Sequence, residues 1–283
     1  MTEHVFAAID DSRFAQSVSE YGAWASLALK APLSLLHVID NHSGVPGEQD
    51  LSGNLSLGSQ DQLMETLSSF DERRAQENRK LSKALLEQAG AWAKAQGAQA
   101  NARQLNGTFV ETLLELESKT RLLVLGKQGA THSRLEELGE HIEALVRRIH
   151  RPVLIVPPTF TPPRRVLIAF DGSQTARKGV EMLARSPLFS GAECHVLIVG
   201  AATGEHTSEL AWALETLTAG EHQAKGAIRA GDIDQTLESY MAEHAIDLLV
   251  MGAFGHSRLK HLLMGSTTTK MLRRANTPVL VLR

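Results

Sequence analysis

Asp247-Leu248-Leu249-Val250-Met251-Gly252-Ala253-Phe254-Gly255, followed after nine residues by Gly265-Ser266-Thr267-Thr268-Thr269, decides how this chain is read. The apolar run at 247–250 predicts a fully buried parallel strand. The sequence Lys270-Met271-Leu272-Arg273-Arg274 predicts a short helix. Two glycines thus follow a strand, and a Gly-Ser-Thr cluster opens the next helix. That is where an open α/β sheet binds ligands. Glycine lets the backbone approach a ligand or take positive φ. A helix start offers unpaired N–H groups and the positive end of a dipole. Ser266 and Thr267 add hydroxyl donors, and the chemistry suits a phosphate. Taken alone, turn glycines and a plain N-cap serine explain the stretch better. It is neither a P-loop nor Gly-x-Gly-x-x-Gly.

The rest of the chain repeats this pattern. Val5–Ile9 is an apolar run ending in Asp10-Asp11-Ser12, and a helical pattern follows to about Leu29. Leu33–Ile39 is a second strand. Residues 41–60, rich in Gly, Ser and Asn, predict a mobile loop, and 61–96 a charged helix. A weak strand at 99–104, a helix at 110–119, a strand at 122–125, a helix at 142–149 and a strand at 152–156 complete the half. Four prolines within 157–163 make a semi-rigid linker. The pattern then restarts. Val166–Phe170 ends in Asp171-Gly172-Ser173. Further strands are predicted at 195–199, 227–229, 247–250 and 278–282, with helices at 175–184, 210–217, 233–243 and 270–274. Gly126 and Gly252 lie 126 residues apart, as do Gly129 and Gly255, Gly139 and Gly265, and Pro152 and Pro278. Asp10 and Asp171 lie 161 apart. This is a tandem duplication of a βα unit, with domains at 1–156 and 164–283. Strands alternating with helices predict parallel sheets with helices on both faces.

Composition narrows the function classes. The 283 residues suit two domains, and the net charge of -3 gives no pull towards nucleic acid or anionic membrane. The single cysteine, Cys194, permits no internal disulfide, and its apolar setting predicts an inert buried thiol. No apolar stretch reaches membrane-spanning length, and no signal peptide opens the chain, so a cytoplasmic protein is expected. His132, His141 and His150 are spaced by nine, which does not stack on one helix face, so no metal site is expected. No nucleophile elbow or paired acid and base stands out.

Asp-Gly-Ser after the first strand, Gly-x2-Gly-x9-Gly-Ser after the fourth and a closing Pro-Val-Leu-Val-Leu resemble the universal stress protein family, in two tandem copies over essentially the whole chain. The resemblance implies two Rossmann-like (adenine nucleotide alpha hydrolase-like) α/β domains, each a five-stranded parallel sheet of order 3-2-1-4-5. It implies a cytoplasmic stress-response module that binds ATP, with or without Mg²⁺, or a related adenine nucleotide in the second copy. Asp171 would bond the ribose hydroxyls. Ala169, Val199 and Met251 would line the adenine, and Gly252 would approach the ribose. Gly255, Gly265, Ser266 and Thr267 would hold the phosphates, with charge from Arg258 and Lys260. A slow ATPase or kinase-like enzyme, or a binder of an apolar ligand through the first copy, are the alternatives. Without an evident base or Mg²⁺ carboxylate pair, a non-enzymatic role is the expectation.

The first copy departs from the pattern. Glu140 and His141 stand where the second copy has Ser266 and Thr267, and Asp11 replaces the glycine after Asp10. A carboxylate at the phosphate position repels an anion. The retained glycines still leave backbone approach open there. Single copies of the resembled family dimerise through the last strand. The strands at 152–156 and 278–282 are therefore expected to pair antiparallel within one chain, an internal pseudo-dimer that leaves a homodimer of whole chains open. That pairing would also bury two apolar edges.

Overall fold

The structure, a computed structural model, describes residues 2–39, 57–129, 139–253, 266–274 and 276–283, without the side chains of 57–72, 74, 140 and 266. The first half runs β1 (His4–Ala8), α1 (Ala15–Leu29), β2 (Leu33–Ile39), α2 (Leu57–Ala95), β3 (Ala100–Asn106), α3 (Phe109–Glu115), β4 (Thr120–Gly126), α4 (Glu140–Arg148) and β5 (Val153–Val156). The second runs β6 (Arg165–Ala169), α5 (Gln174–Ala184), β7 (Glu193–Val199), α6 (Gly204–Ala219), β8 (Gln223–Arg229), α7 (Ile233–Glu243), β9 (Leu248–Gly252), α8 (Ser266–Arg274) and β10 (Val279–Leu282).

All ten strands join one sheet, ordered β3-β2-β1-β4-β5-β10-β9-β6-β7-β8. Each half therefore has the expected order 3-2-1-4-5. Every pairing within a half is parallel. The two halves meet where β5 and β10 pair antiparallel, with Val279 opposite Ile155, Leu280 opposite Leu154 and Val281 opposite Val153. Pro152 and Pro278, which lack an N–H to donate, stand just before these strands. Each strand thus buries the other's apolar edge. Because the pairing is antiparallel, the C-terminal strand ends of the two halves face opposite edges of the sheet.

The strands are apolar on both sides because helices cover both sides. One core cluster takes Leu154, Val156, Leu280 and Leu282 with residues of α1, α2, α5 and α6. The other takes Val153, Ile155, Val279 and Val281 with residues of α3, α4, α7 and α8. Both run unbroken across the seam. The proline-rich segment lies against the first cluster. Phe160 meets Tyr21 edge-on at 4.7 Å. The Tyr21 hydroxyl donates to Thr161 O and accepts from Thr161 N–H, each at 3.2 Å. Burial pushes this phenol up to about 12.

Several elements are longer than the sequence predicts. α8 begins at Ser266 rather than Lys270, α6 at Gly204 rather than Leu210, and β8 at Gln223 rather than Ala227. α3 stops at Glu115, and a short 3-10 turn, Glu117–Lys119, fills the rest of the expected helix. Most of the loop expected at 41–60 lies outside the described residues, and α2 already begins at Leu57.

Candidate functional site

At the C-terminal edge of the second half, the chain turns sharply after β6. Phe170 donates its N–H to Leu197 O at 3.0 Å. Asp171 Oδ1 then accepts from Ser173 N–H at 3.0 Å, a side chain closing its own turn. Ser173 Oγ accepts from Ala176 N–H at 3.2 Å and caps α5. Between them Gly172 takes φ +70°, a conformation that costs an L side chain about 1–2 kcal/mol.

On the neighbouring strand, β9, is the stretch quoted at the outset. The Thr268 hydroxyl donates to Gly252 O at 2.9 Å and ties the first turn of α8 to the end of β9. The first turn of α8, which begins at Ser266, is thereby fixed beside the end of β9. Thr267 is half-buried at that start. Ala169, Val199 and Met251 pack in the same cluster, so the three residues expected to line a base share one face of the sheet. Lys270 on α8 reaches α7, its Nζ 2.7 Å from Asp234 Oδ2, and that bond raises the ammonium pKa. Gly255, Gly265, Arg258 and Lys260 lie outside the described residues, as does the side chain of Ser266.

This edge assembles an acceptor carboxylate, an apolar floor and a donor-rich helix start. Such a set suits a ring, a hydroxylated linker and an anion in a row. Among the described residues no cluster of three His, Cys, Asp or Glu could hold a metal ion. Cys194 is buried, and desolvation pushes its thiol up to about 11, so it is no nucleophile.

The model of the Universal stress protein family matches residues 1–157 and again 163–283. The chain belongs to the universal stress protein family. It is 30% identical over 286 aligned residues to Universal stress protein Slr1230 of Synechocystis sp., covering 99% of this chain and 100% of that relative. A universal stress protein from Archaeoglobus fulgidus DSM 4304 shares the fold with a TM-score of 0.75, at 19% identity over 99% of this chain and 98% of that one. A functionally unknown protein, PA1789, from Pseudomonas aeruginosa PAO1 does so at 0.61, with 16% identity over 99% and 92% of the two chains.

The first universal stress protein repeat presents the same edge differently. Asp10 Oδ1 accepts from Ser12 N–H at 3.2 Å and Ser12 Oγ at 2.5 Å. The retained Gly126 has a packing reason of its own. A β-carbon there would lie 2.6 Å from Phe14 Cβ, so glycine is needed for Phe14, the residue just before α1, to pack. Arg13 lies over the Phe14 ring at 4.9 Å and donates to Gln128 Oε1 at 3.2 Å. Gln128, in the motif itself, is 3% exposed. His141 leans on Phe109, ring centroids 5.9 Å apart, across the starts of α4 and α3. Sequence reasoning missed Phe14 and Thr268. The first was legible as a large aromatic 161 residues before an exposed threonine, Thr175.

Proposed function

We propose that the protein is a non-enzymatic regulatory module of two domains, 1–156 and 164–283 joined by 157–163, whose second domain holds one adenine nucleotide, ATP or a close relative. The observation that carries this reading is the pairing of a turn-locked Asp171 with the α8 start tied to Gly252 at one sheet edge. Asp171 accepts from the ribose hydroxyls, a carboxylate meeting a vicinal diol. Ala169, Val199 and Met251 floor the base. Gly252, Gly255, Gly265, Ser266 and Thr267 receive the ribose and phosphates, where helix dipole and N–H groups favour an anion. Glu140 and the side chains of Phe14, Arg13 and Gln128 disfavour a second nucleotide in the first domain. No described helix is long and apolar enough to cross a membrane.

Mass spectrometry of the small molecules released from purified protein tests the reading. An adenine nucleotide, or its uptake on adding ATP and its loss in Ser266→Glu, is the expected result. A folded protein that neither carries nor takes up any adenine nucleotide contradicts it.

A further inference from the structure

The turn that carries Asp171 is gripped from both sides by one network on α5 and α6. On one side, buried Phe170 stacks on Trp212, ring centroids 6.1 Å apart and planes at 22°. On the other, a β-carbon at Gly172 would lie 3.2 Å from Cδ and Oε2 of Glu209. Arg177 joins the two sides. Its guanidinium lies 4.4 Å over the Trp212 ring and donates to Glu209 Oε1 at 2.5 Å. Glu209 Oε2 is shielded from solvent and has no hydrogen-bond partner. The Arg177 bond is thus what compensates this carboxylate's burial, through a charge-assisted contact backed by cation–π stacking.

Phe170, Trp212, Arg177, Glu209 and Gly172 close a bracket around position 171. Residue 170 cannot rotate without breaking the ring stack, and residue 172 cannot move inward against the carboxylate. The first half has another arrangement at the matching turn, where Arg13 goes to Gln128 instead. Resting on the nucleotide reading above, we infer that Arg177, Glu209 and Trp212 are positioning residues that aim the Asp171 carboxylate at the ribose hydroxyls. They set the protein's preference for a ribonucleotide over a nucleotide lacking those hydroxyls. The network needs an ion pair, a flat cation and an aromatic ring together, so each member is separately testable.

Affinities for ATP and for 2′,3′-dideoxy-ATP are to be measured on the full chain and on Asp171→Ala, Arg177→Met, Glu209→Gln and Trp212→Phe. Thermal melting checks the fold of each, and Arg177→Lys replaces the methionine variant if that one unfolds. Wild type is expected to prefer ATP by about tenfold or more, the effect of one lost hydrogen bond to a charged group. Asp171→Ala removes the preference. Arg177→Met and Glu209→Gln lose most of it while still binding both nucleotides, and Trp212→Phe, which keeps the stack, retains it. Variants that melt earlier yet keep the wild-type ratio would show a merely structural brace and overturn the inference alone. A preference that survives Asp171→Ala overturns it too. A wild type that binds neither nucleotide overturns the nucleotide reading, and the inference with it.

Discussion

The turns Asp10-Asp11-Ser12-Arg13-Phe14 and Asp171-Gly172-Ser173-Gln174-Thr175 stand 161 residues apart and treat the same strand end in opposite ways. In the second, the large groups lie behind the turn on α5 and α6, and Thr175 is exposed. In the first, Phe14 and Arg13 swing onto the motif glycine and Gln128. One half packs its large side chains against α5 and α6; the other packs them against its own motif residues Gly126 and Gln128. The two turns thus differ in what packs beside the motif, while the glycine pattern in the sequence persists. The glycine at 126 is required by the packing of Phe14, so its retention says nothing about a ligand.

The largest expected effect sharpens that comparison. Phe14→Ala removes a side chain that is 2% exposed and should destabilise by about 3–5 kcal/mol. Thr175→Ala at the matching position should stay within about 0.5 kcal/mol. Chemical denaturation of both variants measures this. Equal losses would mean that Phe14 is no plug. The turn glycine comes next. Gly172→Ala forces an alanine into positive φ against Glu209 and should cost about 1–2 kcal/mol. Asp11→Ala, exposed at the counterpart, should again change little.

A smaller, pH-dependent difference concerns the second strand of each half. His195 is fully buried on β7, where the first half has Ser34 on β2. Its Nδ1 pairs with the Tyr240 hydroxyl at 3.2 Å, and its ring faces His244, with Glu193 and Lys225 nearby. Desolvation, then the Lys225 charge, lowers its pKa from the usual 6.5. Below 6.5 the unfolded chain takes up the proton and the folded chain does not. Stability from this group is therefore complete above 6.5 and is lost as pH falls towards the lowered folded value. Melting temperature should drop with acid in wild type, and His195→Ser should flatten that drop. An identical acid profile in the variant would remove His195 as its source.

The tandem repeat was legible because it rests on apolar runs and fixed offsets between glycines and prolines, whereas the sheet order and the strand pairing that joins the halves were expected from the resemblance to the universal stress protein family. The outer strands were legible only in part, the expected strands at 99–104 and 227–229 each covering a portion of the real one. β3 (Ala100–Asn106) and β8 (Gln223–Arg229) are half-exposed edges with polar, glycine- or alanine-bearing sequences, so no alternation marks them. α8 was read four residues short because Ser266 and three threonines are weak helix formers. Thr268 instead earns its place through the bond to Gly252. For the candidate site, the glycines after β9 and the Gly-Ser-Thr cluster were legible from spacing, and the other residues were expected from the family resemblance. The Trp212, Arg177 and Glu209 bracket was not, since its members lie up to 42 residues from Phe170 and carry no motif of their own.

Calorimetric titration of the full chain with ATP tests the asymmetry most directly. Glu140 at the phosphate position and the Phe14, Arg13 and Gln128 side chains of the first half, against the intact motif of the second, predict a stoichiometry near one. Gly265→Glu should abolish binding, while Gly139→Glu should leave it intact. A stoichiometry of two, or binding that survives Gly265→Glu and is lost in Gly139→Glu, would contradict the account.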